Sequence, residues 1–296
     1  MKKVLVFGGV SYNTMVELGE TVTLNQSSLS AADYHETVGS TGAGKALALN
    51  RLGIDLTLHG VIGDDRYGRI VEDYLVEEGI DFIYDIDPEG TERHVNLMAN
   101  QNTERTSIFL HTPPYDIKLD EARIEEMIKN SDIILLNIAP YCKRFISLIE
   151  KCEAEIWCDL HSYDDQDDYC EPFIKCADKL IFSSEKVDNY REIMKSWIEK
   201  GKELVACTHG AAGSTLLSAK GEWIEESSLD YEVVDTNGAG DNFTAGLLYG
   251  YLNNFSWAKG AKLGTIAAGL AVTSKELTAG ELSPTRLKEE YNKYYK

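Results

Sequence analysis

The chain has 296 residues, 43% of them hydrophobic, which is long enough for one α/β domain with a large core or for two smaller domains. Lys and Arg total 29 against 49 Asp and Glu, and the formal net charge of -20 would repel nucleic acid and anionic membrane surfaces over most of the exterior. Neither partner is therefore expected, and an anionic ligand must be held locally by backbone dipoles or a metal ion.

The N-terminal segment MKKVLVFGG turns polar after a short apolar run, which favours a first strand over a signal peptide or membrane span. The six cysteines show neither a CxxC pair nor disulfide-like density, which is typical of reduced thiols. We therefore expect a cytoplasmic protein. Cys158 and His161 have the CxxH spacing of a zinc site, but no second ligand pair accompanies them, so a strand end is the preferred interpretation.

Apolar runs alternate with segments of helical period, which predicts a doubly wound, mostly parallel sheet with helices on both faces. The predicted strands are 3–8, 55–63, 132–139, 154–160, 179–183 and 203–210. The predicted helices are 69–79, 118–130, 183–201 and 284–295. Residues 94–100 and 105–112 have the pattern of an antiparallel hairpin, beside which a strand at 16–24 could pair. We expect a single domain over 1–296, with a small β lid from about 11–40 and 92–113.

A first glycine loop, GSTGAGKALALNRLG at 39–53, has the spacing of a phosphate-binding P-loop at Gly39, Gly44 and Lys45. Position 46 is alanine, whose methyl group cannot ligate the Mg²⁺ ion that accompanies the phosphates. The preceding residues ADYHETV are mostly polar, unlike the buried strand that leads into a P-loop. A P-loop is therefore disfavoured. Lys45 is interpreted as a solvated lysine on the following helix, and contact with an anionic acceptor is the alternative.

The acidic run DLHSYDDQDDY at 159–169 follows a predicted strand, at the sheet edge where open α/β folds bind ligands. Clustered surface carboxylates usually face water, so a solvated loop is the preferred interpretation. A role in attracting a cation is the alternative.

A second glycine loop, DTNGAGD at 235–241, follows the β-branched run YEVV and precedes an apolar helix that starts near Asn242. Gly238 and Gly240 leave backbone N–H groups open at the first turn, where they and the helix dipole can hold phosphoryl charge. Asp241 stands at the same helix end, where the dipole favours its carboxylate and where it can accept a hydroxyl proton. Simple capping of the helix by Asp241 fits the pattern equally well.

Five segments extend this reading along the chain: GGVSYN, GSTGAGKALALNRLG, GVIGDDRYGRIVEDYLVEEGID, THGAAG and DTNGAGDNFTAGLL. Together they resemble the PfkB-type, ribokinase-like carbohydrate kinases over nearly the whole chain. The resemblance implies a ribokinase-like fold and ATP-dependent phosphorylation of a hydroxyl, the primary alcohol of a small sugar-like acceptor. Mg²⁺ and a monovalent cation such as K⁺ are the implied cofactors besides ATP. A nucleoside kinase of the same superfamily and a catalytically silent metabolite-binding relative are the alternatives.

The resemblance also implies roles for particular residues. Asp241 would be the catalytic base, and the backbone of Gly238, Ala239 and Gly240 would form the anion hole. The residues implied in ATP binding are Thr208, Gly210, Gly213, Ser184 and Thr265. The residues implied in acceptor binding are Asn13, Gly39, Ser40 and Gly44, and those implied in metal binding are Asp235 for the monovalent cation and Glu185 for Mg²⁺.

Several positions depart from the family pattern. Asn13 stands where the family has an Asp near the end of the first strand, and Gly44 stands where it has an amide. The Asn-x-x-Glu motif that organises water around Mg²⁺ is matched only by Ser184, Glu185 and Asp188. These changes predict fewer charge-assisted bonds to the acceptor and room beside Gly44 for an acceptor bulkier than a pentose. Exposed edges of the lid further predict a homodimer joined through the lids.

Overall fold

The computed structural model describes residues 2–18, 28, 30–99 and 104–296. Its strands are β1 Val4–Phe7, β2 Ser11–Leu18, β3 Ala31–Gly39, β4 Leu56–Gly63, β5 Asp81–Asp87, β6 Arg93–Ala99, β7 Glu104–His111, β8 Ile133–Asn137, β9 Glu155–Asp159, β10 Lys179–Ser183, β11 Leu204–Thr208, β12 Ser214–Ser218 and β13 Trp223–Glu226. Its α-helices are α1 Thr41–Arg51, α2 Arg66–Glu77, α3 Glu121–Lys129, α4 Ile146–Ile149, α5 Glu171–Cys176, α6 Tyr190–Glu199, α7 Ala239–Leu252, α8 Trp257–Ala271 and α9 Pro284–Tyr295.

The large sheet contains 9 strands in the order β13-β12-β11-β10-β9-β8-β1-β4-β5. Within this sheet, the seven strands β5, β4, β1, β8, β9, β10 and β11 are parallel to their neighbours. Strand β12 pairs antiparallel with β11, and β13 pairs antiparallel with β12. Side chains of the central strand β1 alternate between two cores. Val4 and Val6 pack with α1, α2, α7, α8 and α9, whereas Leu5 and Phe7 pack with α3, α4, α5 and α6. The predicted doubly wound, mostly parallel sheet is confirmed.

A second, four-stranded sheet has the order β3-β2-β6-β7. Strands β6 and β7 form the predicted antiparallel hairpin, and β2 pairs parallel with β6 and antiparallel with β3. The predicted strand at 16–24 overlaps the end of β2, and its residues 19–24 lie outside the described residues. Strand β3 was not predicted, because most of its side chains are exposed and its polar residues give no apolar pattern.

One predicted helix is wrong, and several elements were not predicted. The helix expected at 183–201 is interrupted: a 3₁₀ turn at Ser184–Lys186 is followed by extended Val187, and α6 begins only at Tyr190. The β-branched run at 231–234 forms no strand, and the Val234 N–H donates to the Val272 carbonyl oxygen that follows α8. Strands β5, β12 and β13 were missed, since polar residues interrupt their apolar runs.

All six cysteines are free thiols, in agreement with the absence of a disulfide pattern. Among the described residues, no helix has both the length and the apolar character that a membrane crossing requires. The parallel strands β1 and β8 to β11 end at the same edge of the large sheet. That edge faces the small sheet, and the two sheets enclose the candidate site between them.

Candidate active site

A cleft of about 580 Å³ lies between the small sheet and the carboxyl ends of the large-sheet strands. One wall comes from β2, β6 and β7, and the other comes from segments that follow β1 and β8 to β11. The loop before α7 and the first turn of that helix close one end of the cleft. Open α/β sheets bind ligands at this edge, and the volume is in the range of small-molecule sites.

The second glycine loop ends in Gly238, which has φ 80° and precedes the first residue of α7. A Cβ atom at Gly238 would lie 2.2 Å from the Leu277 carbonyl oxygen, so both the backbone angle and the contact require glycine. The Asn242 amide fastens the loop from behind by donating to the same carbonyl oxygen at 2.8 Å. A Cβ atom at Gly240 would meet no atom within 4 Å, because the first turn of α7 opens into the cleft. The Gly240 N–H group is therefore placed to bind an anion, whereas the Ala239 N–H donates to the Thr236 carbonyl oxygen at 3.4 Å.

Asp241 follows in the same turn and has a buried ion-pair partner that the sequence did not reveal. The Lys45 Nζ atom lies 2.5 Å from Asp241 Oδ1 and 2.8 Å from Asp159 Oδ2. Lys45 is 0% exposed, so the prediction of a solvated lysine is wrong. Helix α1 is buried from Gly42 to Leu49, which leaves a lysine at position 45 no route to solvent. Both carboxylates compensate its charge, and Lys45 does not border the cleft.

The three charged groups affect one another's protonation. Burial raises the pKa of Asp241, and the charges of Lys45 and His161 oppose this rise. Burial would also raise the pKa of Asp159, but His161 and Lys45 outweigh burial and lower it. Burial disfavours the Lys45 ammonium, yet the two carboxylates raise its pKa. Asp241 therefore has the greater proton affinity of the two carboxylates.

Gly44 packs directly against this cluster. A Cβ atom at Gly44 would lie 2.5 Å from Asp241 Oδ2, and Gly44 does not border the cleft. The expectation of open space for an acceptor beside Gly44 is therefore wrong, because the Asp241 carboxylate fills that space. Gly39 likewise accommodates a neighbour: a Cβ atom there would lie 2.0 Å from Asn13 Nδ2. Asn13, which lies in β2 rather than near the end of β1, and Ser40 both border the cleft.

The first turn of α1 is already satisfied within the protein. The backbone N–H groups of Gly42 and Ala43 donate to the Gly9 carbonyl oxygen at 3.0 and 3.3 Å. These groups are not free for a phosphate, in agreement with the prediction that this loop is not a P-loop.

The residues expected to bind ATP differ in their positions. Thr208 borders the cleft at the end of β11. Gly210 and Gly213 form the tight turn into β12, and the Ser184 hydroxyl lies 2.8 Å from His209 Nδ1 beside it. Thr265 is buried in α8. Among the five, Thr208 alone borders the cleft as the described residues form it.

The carboxylates expected to bind metals stand singly. Asp235 is buried, which raises its pKa, and it accepts a hydrogen bond from the Asn237 N–H at 2.7 Å. Glu185 is exposed and accepts a hydrogen bond at 2.6 Å from Ser162, which borders the cleft. Within residues 2–18, 28, 30–99 and 104–296, no group of three or more His, Cys, Asp or Glu side chains could hold a metal ion. The zinc alternative at Cys158 therefore has no support. Single carboxylates suit Mg²⁺ when nucleotide phosphates and water supply the other ligands.

The acidic run at 159–169 divides into two parts. Asp165, Asp167 and Asp168 are exposed, as predicted for a solvated loop. Asp159 is buried at the end of β9 and pairs with Lys45, so the solvated interpretation is wrong for this residue.

The family assignment rests on a direct match. The family model described as "pfkB family carbohydrate kinase" matches residues 1–174 and 175–285. The chain belongs to this family. The predicted family and enzyme class, a carbohydrate kinase, are thereby confirmed.

This pfkB family member is similar to three proteins whose names describe kinases or phosphotransferases. It is 27% identical over 288 residues to acarbose 7(IV)-phosphotransferase of an Actinoplanes species, covering 96% of each chain. It is 24% identical to 5-dehydro-2-deoxygluconokinase of Geobacillus kaustophilus, covering 81% of this chain and 80% of that protein. The structure of a microbiome-derived acarbose kinase matches with a TM-score of 0.87 and 25% identity, covering 98% of each chain.

The small sheet adds cleft residues that sequence reasoning missed. His94 and Asn96 of β6 are buried and border the cleft, and His94 Nε2 lies 3.0 Å from Oε1 of buried Glu92. Arg105 of β7 reaches across the cleft and donates to Asn237 Oδ1 at 2.6 Å. A signal was present: polar residues at alternate positions of HVNLMAN indicate a strand with one polar face.

Proposed function

We propose that this protein transfers the γ-phosphoryl group of ATP to a hydroxyl, the primary alcohol, of a sugar-like acceptor. The observation that carries the proposal is the Asp241 carboxylate at the open N-terminus of α7, with both groups bordering one cleft. A carboxylate with raised proton affinity can accept the hydroxyl proton as the oxygen attacks phosphorus. The first-turn N–H groups of α7 can stabilise the charge on the transferring phosphoryl group.

The two ends of the cleft suit two different ligands. Thr208 and the open turn at Gly238 to Gly240 are assigned to ATP, because backbone N–H groups there can bind phosphate. We assign Mg²⁺ to the neighbourhood of Glu185 and a monovalent cation to Asp235, since each offers a carboxylate whose hydrogen-bond donor is an uncharged group, the Ser162 hydroxyl and the Asn237 N–H. When bound, Mg²⁺ neutralises charge on the phosphates.

The acceptor end is polar but carries little positive charge. Asn13, Ser40, Glu92, His94 and Asn96 offer donors and acceptors that fit a hydroxyl-rich molecule. The buried Glu92 carboxylate can supply the charge-assisted bond that Asn13 cannot. These groups favour an uncharged sugar-like acceptor over a sugar phosphate or sugar acid.

Positive charge near the acceptor is limited in two ways. Arg105 is the one Lys or Arg side chain among the described residues that border the cleft, and Asn237 already accepts a hydrogen bond from it. The Lys45 charge is enclosed by Asp159 and Asp241. An anionic acceptor would therefore meet more carboxylate than cation.

A screen of sugars, sugar alcohols, sugar acids, sugar phosphates and nucleosides for acceptor-dependent ADP release tests the proposal. We expect turnover with a neutral hydroxyl-rich acceptor, and phosphorus NMR of the product should show a phosphate monoester at a primary carbon. Turnover confined to nucleosides would establish the nucleoside kinase alternative. ATP binding without ADP release for any acceptor would establish a silent binding protein.

We further propose that the small sheet is a lid of one domain spanning 1–296, and that two protomers join through their lids. Strands β3 and β7 are the outer strands of this sheet as the described residues form it. Tyr34 on β3 is 68% accessible, and Ile108 and Leu110 are exposed on β7 at the other side of the sheet. Unpaired edges that carry apolar side chains favour association with a second copy.

Light scattering at micromolar concentration tests the dimer. The wild-type mass should be that of two chains, and I108K/L110K should give one chain, because lysine on an edge strand opposes pairing. A monomeric wild type at that concentration would remove the proposal.

A further inference from the structure

The ion cluster beneath the cleft joins both glycine loops. Lys45 comes from α1, Asp241 from α7 and Asp159 from the end of β9. The single Lys45 ammonium contacts both carboxylates, at 2.5 and 2.8 Å. Lys45 is fully buried, and burying an ammonium is costly unless its charge is paired. Both contacts join protein groups to each other, and Lys45 itself does not border the cleft.

The charge balance of the cluster suits a base that gains and loses a proton. With all three groups ionised, the cluster carries one negative charge, and that charge can be neutralised by a proton on Asp241. During transfer, the acceptor O–H bond breaks, its proton goes to Asp241, and the oxygen forms a bond to the γ-phosphorus as ADP leaves. Lys45 and Asp159 then remain as a neutral ion pair. Neither state leaves an ammonium buried without a partner.

We propose that Lys45 and Asp159 are positioning residues for the base: Lys45 holds the Asp241 carboxylate against α1, and Asp159 keeps that ammonium paired when Asp241 takes up the acceptor proton. The proposal rests on the assignment of Asp241 as the base. Gly44 completes the arrangement, because only the absence of a side chain there lets the carboxylate lie against α1.

Three titratable groups face Asp241 from the elements packed against it: Lys45 of α1, Asp159 of β9, and His161 in the loop that follows. Lys45 favours the ionised carboxylate, and Asp159 disfavours it. Removing each should therefore move the titration of the base in opposite directions. Simple loss of packing would not produce opposite directions.

The experiment measures kcat/KM from pH 4.5 to 9 for wild type, K45M and D159N with the best acceptor. The acid limb of this profile reports ionisation of the base in the free enzyme. In K45M the limb should move to higher pH by about one unit, because the carboxylate loses its counter-ion. In D159N it should move to lower pH, and the plateau should fall by up to roughly tenfold because a weaker base accepts the proton less readily.

Lys179 supplies the matched control. It is 1% exposed, and its Nζ atom lies 2.8 Å from Glu155 and 2.6 Å from Glu203. It stands at the start of β10, at the opposite end of the strand from the cleft. K179M therefore removes a buried, doubly paired lysine and should lower the melting temperature while leaving the acid limb at the wild-type pH.

Opposite displacements in K45M and D159N, with none in K179M, support the inference. An acid limb that stays in place in D159N, or that moves the same way in both variants, overturns it. If circular dichroism shows K45M unfolded, the direction in D159N decides alone. Failure of the proposed function has a different signature, in which wild type releases no acceptor-dependent ADP or D241N retains wild-type turnover.

Discussion

Two glycine loops with similar letters, GSTGAGK at 39–45 and DTNGAGD at 235–241, do different work in this molecule. Both lead into buried helices, α1 and α7, that pack beside each other. In the first loop, the Gly9 carbonyl oxygen accepts hydrogen bonds from the first-turn N–H groups. In the second, the first turn opens into the cleft at Gly240. A glycine-rich loop therefore indicates that another group approaches its backbone closely. The surrounding structure determines whether that group is a ligand or another segment of the protein.

The two glycine loops also contact each other. Gly44 and Lys45 of the first contact the Asp241 side chain of the second. The first loop thus has two roles. Ser40 and Thr41 border the cleft, and Gly44 and Lys45 in the next turn contact the Asp241 carboxylate on the side away from the cleft. Substitutions in the two loops should separate these roles.

The largest effect is expected for D241N in the second loop. The amide keeps the shape of the carboxylate but cannot accept the acceptor proton, so kcat should fall by roughly 10² to 10⁴. The dissociation constant of ATP, measured by calorimetry, should change little. Wild-type kcat on the best acceptor would remove Asp241 from the reaction.

The two glycines of the second loop should separate stability from activity. In G240V the side chain would enter open cleft space, so folding should be preserved while closure of the anion hole is blocked and kcat falls by about 10²-fold or more. In G238A the residue must adopt φ 80° and would collide with the Leu277 carbonyl, which should lower the free energy of unfolding by at least about 1–2 kcal/mol. Urea unfolding and steady-state kinetics on both proteins check this division. Undiminished turnover in folded G240V would contradict the anion hole.

The next effect is expected for G44N in the first loop. An asparagine there would displace the Asp241 carboxylate, and misplacement of a reacting group by about 1 Å can cost roughly 10²-fold. Because Gly44 does not border the cleft, kcat/KM should fall by the same factor for ribose and for a bulkier hexose derivative. G280A is the control, since a Cβ atom there would meet nothing within 4 Å. A loss confined to the bulkier acceptor would restore Gly44 as a specificity residue.

The smallest effect is expected for S40A, on the cleft face of the first loop. Losing one hydrogen bond to the acceptor should raise its KM by a few-fold to about tenfold. ATP affinity should be unchanged, because the first loop is assigned to the acceptor and the second to the nucleotide. Weaker ATP binding in S40A with unaltered acceptor KM would reverse that assignment.

Sequence patterns predicted the central strands of the large sheet and the helix that carries Asp241, but not β3, β5, β12 and β13. Continuous apolar runs such as VLVF and IILLN require burial on both faces, so the parallel sheet follows from composition. The glycine loop followed by an apolar helix likewise predicted that Asp241 and Gly240 stand at the first turn of that helix, where α7 has them. Such features depend on residues close together in the chain.

Tertiary structure alone decided the partners of those residues. Lys45 and Asp241 are 196 residues apart, and nothing local in either segment states that they touch. From the sequence alone, a lysine is expected to be exposed to solvent, because burying its charge is unfavourable unless a carboxylate pairs with it. Only the packing of α1 against α7 and the end of β9 supplies two carboxylates for one ammonium, and only the absence of a side chain at Gly44 makes room for them. The identity of the candidate base can therefore be inferred from a short segment of the sequence. Its position and its electrostatic environment arise from contacts between distant segments.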